Sequence, residues 1–275
     1  MNLLITLFAR CVLSTALGTG LLAAILTMVP RLGSPGRRLG EAFARAPMLD
    51  LWVAMLTWVP WVIMCWVAGW IGLAGALVGQ MISLATWCWI HELMHREALH
   101  GPRIVKFINR AVGRWQNHLA LWVTLVALPG FWFIRMIQIT AYWPLVVLLG
   151  FPSYKHSEWI NVSRQKFDGL IGHDLVWCLY CDWMTGVYSL GAEMLRNVES
   201  FWCPIRYYDG KKCENCRVDF PDIEHGWVAA EGNMHDVERV MQEKYGDGRR
   251  EWFGHPARLT VNGKPIEPAQ VEAHV

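Results

Sequence analysis

Leu51 to Ile90 is a run of forty residues without one Asp, Glu, Lys or Arg. A helix rises about 1.5 Å per residue and a bilayer's hydrocarbon is about 30 Å thick, so about twenty apolar residues make one crossing. The run is twice that, and Ala68-Gly69-Trp70 stands at its midpoint. This predicts a helical hairpin of two crossings joined by a tight turn. Cys11 to Val29 is also uncharged and predicts one crossing. It reads as a retained helix and not a cleaved leader, because the first basic residue, Arg10, follows LLITLFA instead of preceding it.

Leu119 to Phe151 is a third apolar region, interrupted by Pro129-Gly130, Arg135 and Pro144. It predicts a short hairpin whose arms meet near Pro129 to Arg135, with a single kinked, tilted helix as the alternative. The chain is 54% apolar and 17% charged and carries 17 tryptophans, which excludes an ordinary soluble domain.

Basic residues cluster after each apolar block. Arg31, Arg37, Arg38 and Arg45 follow the first, and Arg96, Arg103, Lys106, Arg110 and Arg114 follow the second. Lys155, Arg164 and Lys166 follow the third. Positive loops stay cytoplasmic. All three lie inside when both later blocks are hairpins, which puts the C-terminal half in the cytoplasm. The expected fold is mainly α, a polytopic membrane bundle of about three to five spans over residues 1–151. Residues 152–275 are expected to form membrane-associated helices and a small cytoplasmic, cysteine-containing α+β domain. The expected location is a bacterial inner (plasma) membrane. The net charge of +2 gives no sign of a nucleic-acid partner.

Leu170 to Trp202 mixes Trp, Leu and Val with His173, Asp174, Asp182, Glu193, Arg196 and Glu199, which suits helices at the membrane face. Asn233 caps a predicted helix carrying Val237, Val240, Met241 and Tyr245, and Leu259 to Ile266 reads as a hairpin around Asn262-Gly263. The tail beyond Pro268 is expected to be loose.

The uncharged run ends in WCWIHELMHREALHGPR. On a helix, His91 and His95 point the same way, one turn apart, so two imidazoles can share a metal ion. Glu92 beside them could take the proton of a metal-bound water. The bland reading is that polar heads gather where the lipid ends.

HELMH resembles the site of zinc-dependent membrane metallopeptidases of the site-2-protease type. That resemblance implies zinc on His91 and His95, Glu92 as general base, and a third ligand from an Asp-Gly segment, here Asp168-Gly169. The prolines that precede the family's Asp are missing from NVSRQKFDG. Glu193 and Glu199 are rival third ligands. HELMHR followed by AVGRW also resembles the first histidine box of membrane di-iron desaturases and alkane hydroxylases. That resemblance implies iron and a lipid-like or alkane-like substrate. Those enzymes carry further H-x-x-H-H boxes, whereas His100, His118, His156 and His173 are scattered singles here.

Five cysteines form WCLYC (Cys178, Cys181), FWCPI (Cys203) and KKCENC (Cys213, Cys216). Two C-x-x-C pairs about thirty residues apart are a structural zinc pattern. Disulfide or redox use and plain thiols are the alternatives. Three functions follow: a membrane zinc hydrolase acting on a membrane-embedded substrate, a non-haem iron oxidoreductase, or a non-catalytic membrane subunit docking on a membrane partner or on a second copy of itself.

Overall fold

In a computed structural model, which describes residues 2–219, 223–245, 260–261 and 264–265, the chain is almost wholly helical. It divides into two compact units, Met1–Val126 with Ile160–Gly186, and Ala127–Trp159 with Val187–Val275. Contacts therefore part the chain elsewhere than at the composition boundary after Phe151.

In the first unit, α1 (Asn2–Met28) ends in a 3-10 turn, Val29–Arg31, where Pro30 cannot continue the hydrogen-bond ladder. Helices α2 (Gly33–Phe43) and α3 (Met48–Leu56) lead to α4 (Trp58–Met94). The ladder of α4 is broken at Ala68 (φ −139°, ψ 18°) and Gly69 (φ 58°, ψ −144°). A left-handed φ is open to glycine at little cost, and a Cβ on Gly69 would meet nothing within 4 Å. Dihedral freedom, not space, explains that glycine.

The break reverses the chain. The Gln80 side chain accepts from the Trp61 indole and donates to the carbonyls of Leu56, at 2.9 Å, and Thr57, at 2.6 Å. In an unbroken helix, 24 residues would separate Leu56 from Gln80 by about 36 Å. The predicted hairpin at Ala68-Gly69-Trp70 is therefore present, with Trp66 and Trp70 strongly exposed at its tip.

The second arm of the hairpin packs on α1 along a seam of small residues. Gly72, Gly75, Ala76, Gly79 and Ser83 are the buried residues of α4, and Cys11, Thr15 and Thr19 those of α1. A Cβ on Gly75 would lie 2.7 Å from the Cys11 Cβ, and one on Gly79 would lie 2.6 Å from the Val12 carbonyl oxygen. Backbones approach this closely only where side chains are absent. The outward faces stay apolar, with Leu13, Leu17, Leu21, Val62 and Ile63 exposed.

The third apolar region is a correction. Pro129, Gly130 and Arg135 lie inside one helix, α8 (Leu128–Thr140), with Pro129 in its first turn, so the hairpin turn expected there does not form. The alternative of a single helical segment fits: α7 (Arg114–Thr124), a 3-10 turn, α8 and α9 (Tyr142–Leu149) follow one another, with Leu125, Ala127 and Ala141 in the right-handed helical region. Among the described residues, three helical segments are long and apolar enough to cross a membrane, Asn2–Arg31, Trp58–Met94, which folds back on itself at Gly69, and Arg114–Leu149.

Between α4 and α7 lie α5 (Arg96–His100) and α6 (Ile104–Val112). After α10 (His156–Trp159), the long α11 runs from Gly172 to Trp202 and gives its first half to the first unit. There, two loops that are far apart in sequence are tied to each other and, with the start of α3, to α11. Ala46 N–H donates to the Ile160 carbonyl at 2.9 Å and Val162 N–H to that of Ala44 at 2.8 Å. The buried Trp183 indole donates to Asp50 at 3.1 Å, and Asp182 accepts from the Ser163 amide at 2.8 Å. The ends of the basic loops after the first and third apolar regions therefore meet on one face.

The second unit has a polar interior. Arg135 donates to Gln138 at 3.0 Å and lies 3.0 Å from His156 Nδ1, and Gln138 donates to the Val187 carbonyl at 2.7 Å. The buried Asn197 donates to the hydroxyls of Tyr142 and Tyr154. Further on are α12 (Gly210–Asp219), α13 (Ile223–Gly226) and α14 (Met234–Tyr245), the last capped by the Asn233 side chain on the His235 amide at 2.9 Å, as the sequence predicts. The only strands among the described residues are Thr260–Val261 and Lys264–Pro265, an antiparallel pair where a hairpin was expected. Two residues each do not make a sheet for helices to cover, so the expected α+β domain gives way to helices. The tail beyond Pro268 lies outside the described residues.

The seam predicts a specific sensitivity. Gly79→Leu should lower stability by roughly 1–3 kcal/mol through overpacking. Gly18→Leu, where a Cβ would meet nothing within 4 Å, should be neutral or slightly stabilising. Thermal unfolding midpoints of the two variants in mild detergent decide it.

Candidate functional site

The first unit gathers the ends of three helices around one guanidinium. Arg103 follows Gly101-Pro102 and immediately precedes α6, and its side chain is 3% exposed. It donates to Glu92 Oε1 at 2.7 Å, to Asp174 Oδ2 at 2.6 Å and to the Ile171 carbonyl at 3.3 Å. Glu92 ends the second arm of α4 and Asp174 opens α11. The two carboxylates are thus held by one cation out of water, and charge-assisted bonds of this length are the strong kind.

Capping explains why those carboxylates stand where they do. The first amides of a helix have no partners inside it and carry partial positive charge. Two such amides of α11 are taken up by the HELMH stretch: Gly172 N–H donates to His91 Nδ1 at 3.2 Å and His173 N–H to Glu92 Oε1 at 3.3 Å. Asp174 in turn accepts the Val105 amide, in the first turn of α6, at 3.0 Å. Thus the end of α4 caps α11, and the start of α11 caps α6. Gly172 makes the first contact feasible. Its φ is +49°, and a Cβ there would lie 2.4 Å from Glu92 Oε1.

Burial works against the charges of both Arg103 and Asp174, and their partners outweigh it. Hydrogen bonds to Asp174 and Glu92 raise the Arg103 pKa above its ordinary value. The neighbouring His173 and the Arg103 guanidinium bring the Asp174 carboxyl below the usual range.

His91 and His95 do share a face. Their rings stack with centroids 4.4 Å apart, and Trp87 stacks on His91 at 4.8 Å. Their hydrogen bonds set the tautomers. His91 Nδ1 accepts from Gly172, so its proton is on Nε2. His95 Nδ1 lies 2.8 Å from the His91 carbonyl and donates to it.

A catalytic zinc takes three protein ligands and keeps one open position. Among the described residues, no group of three or more His, Cys, Asp or Glu side chains gathers to hold a metal ion. To offer Nε2, His91 would have to carry its proton on Nδ1, facing the Gly172 N–H. The residues as arranged therefore do not fit the metal. Of the expected third ligands, Asp168 is exposed in the turn before α11. Glu193 and Glu199 belong to the second unit, where Glu193 is wholly buried and accepts from Tyr154 at 3.4 Å, and Glu199 accepts from Tyr207 at 2.8 Å. Glu92, the expected general base, is ion-paired.

None of the five cysteines is joined in a disulfide. Cys178 and Cys181 lie on the first-unit half of α11, and burial pushes the Cys178 thiol pKa up. Cys203, Cys213 and Cys216 belong to the second unit, and KKCENC lies in helix α12. Burial, the Glu199 hydrogen bond and the nearby Cys216 and Cys203 all raise the Tyr207 pKa.

In the sequence Arg103 reads as one charge of a basic loop, and Asp174 as a polar residue of a helix on the same face as Cys178 and Cys181. Gly101-Pro102 before the arginine, and an acid in the first turn of a helix preceded by glycine, were the available signals. Comparison with protein families, with curated proteins and with solved structures gives no match to this chain.

Two measurements check the junction. Arg103→Met leaves two carboxylates unpaired, one of them buried, and should cost roughly 3–5 kcal/mol. Because the Asp174 pKa is lowered, its stabilisation is complete above about pH 4 and disappears as pH falls through the folded-state value. Denaturant titrations from pH 7 to pH 3 should show this acid loss in wild type and a smaller one in Asp174→Asn.

Proposed function

We propose that this chain is a polytopic membrane protein that serves as a non-catalytic membrane subunit, with the HELMH stretch acting as a structural junction at the end of a transmembrane hairpin. The observation that carries the reading is the commitment of Glu92. Its carboxylate is held by Arg103 at 2.7 Å and by the His173 amide, so the group that would activate a water is already neutralised. The three apolar helical segments and the lipid-compatible outer faces support insertion in a bilayer. The positive-inside rule supports a cytoplasmic face for the basic residues after Asn2–Arg31 and for those after the hairpin, and with Arg114–Leu149 a single segment it no longer assigns the third basic loop to that face. A bacterial inner membrane, and a partner protein or second copy at that face, belong to the same proposal.

A zinc hydrolase built on His91, His95 and Glu92 is the second reading. In its favour is the stacking of the two imidazoles at 4.4 Å. It requires Arg103 to release Glu92, Gly172 to release His91, and a third ligand to arrive. The iron-enzyme reading needs the same release and more ligands. A structural zinc involving Cys213 and Cys216 also stands as a proposal, supported by their C-x-x-C spacing.

Metal analysis of the purified, detergent-solubilised protein tests the choice. The subunit reading expects metal content unchanged by His91→Ala and His95→Ala. About one equivalent of zinc or iron lost in both variants would overturn it in favour of an enzyme.

A further inference from the structure

Helix α6 and the residues around it present a surface that the junction does not use. In IVKFINRAV, Ile104, Phe107, Ile108, Ala111 and Val112 recur at helical spacing on one side, and Lys106 and Arg110 lie on the other. The apolar side is not buried against the protein: Ile104 is 55% exposed, Phe107 63%, Val112 54% and the following Trp115 83%. A short helix with its apolar face outward in water would be costly, at about 25 cal/mol per Å² of apolar surface.

Its setting limits what can cover that face. Arg103, one residue before α6, is bonded to Glu92 at the end of the hairpin, and Asp174 caps the Val105 amide. The junction therefore fastens the start of α6 to the end of the apolar hairpin. About 23 residues separate the Gly69 turn from Glu92, a rise of about 34 Å, which matches the hydrocarbon thickness. The charge around α6 is one-sided. From Leu93 to Asn117 the basic residues are Arg96, Arg103, Lys106, Arg110 and Arg114, against Glu97 alone. The Lys106 amine donates to the Leu99 carbonyl at 2.8 Å and remains exposed.

We infer that α6 lies in the plane of the bilayer surface, its Ile104–Phe107–Val112 side in the acyl boundary, and that Lys106, Arg110 and Arg114 recruit anionic phospholipid headgroups. The inference rests on the membrane reading and names the lipid class for one surface. Basic residues near an anionic leaflet are attracted to it, an effect that fades over the Debye length, about 10 Å at 0.1 M salt and about 3 Å at 1 M. Amphipathic helices of this pattern sit at that depth.

The test uses the full chain reconstituted in vesicles of phosphatidylcholine and phosphatidylglycerol at four to one. Membranes are first washed with alkaline carbonate, then the protein is re-extracted in mild detergent and its retained phospholipid is quantified. Wild type should stay in the washed membranes and retain phosphatidylglycerol several-fold above its share of the vesicle. The triple variant K106Q/R110Q/R114Q should stay in the membranes but fall to the bulk ratio, as should wild type extracted at 1 M salt. Equal enrichment in the triple variant, or none in wild type, would overturn the α6 inference and leave the membrane reading standing. Release of wild type by carbonate would overturn the membrane reading itself.

Discussion

One guanidinium decides how the ends of α4, α6 and α11 meet. Arg103 is taken from water and set between Glu92 and Asp174. A buried cation is tolerable only when its donors are engaged, so its position fixes both carboxylates, and each carboxylate in turn caps a helix. Three helix ends that would each leave amides or charges unsatisfied complete one another. The arrangement is cooperative: no one of the three bonds has the same meaning without the other two.

The two ends of the hairpin are held by different physics. Along its length, contact with α1 is made by small residues, where close backbone approach and dispersion do the work that apolar burial cannot do among apolar surroundings. At its end, charge and hydrogen bonding take over. The junction is thus the place where the first unit gains directionality. It fixes which helix follows which, and with Ala46–Ile160 and Asp50–Trp183 it brings together loops from three parts of the sequence.

Much of this was legible beforehand for an identifiable reason. Hydropathy reports length and apolar character, so the first apolar helix, the hairpin and its turn at Gly69 could be read from composition and one glycine. The third apolar region could not. Pro129 and Gly130 are turn residues in most settings, but proline in a helix's first turn costs no hydrogen bond, and α8 simply begins there. The candidate site was half legible. Spacing placed His91 and His95 on one face, but spacing is silent on which partner each nitrogen meets. That partner is Gly172, 81 residues away. Glu92 likewise looked free because Arg103 lies beyond a Gly-Pro break, where helical periodicity no longer links the two. The small-residue seam, Gly75-x-x-x-Gly79-x-x-x-Ser83, was readable and went unread.

The central claim is that Glu92 is bound to Arg103 and is not poised as a base. A double-mutant cycle on stability with Glu92→Gln and Arg103→Met isolates that pair. The account predicts a coupling energy of roughly 1–3 kcal/mol, with the double variant less damaged than the sum of the singles. Strict additivity, with Glu92→Gln costing nothing in either background, would contradict it.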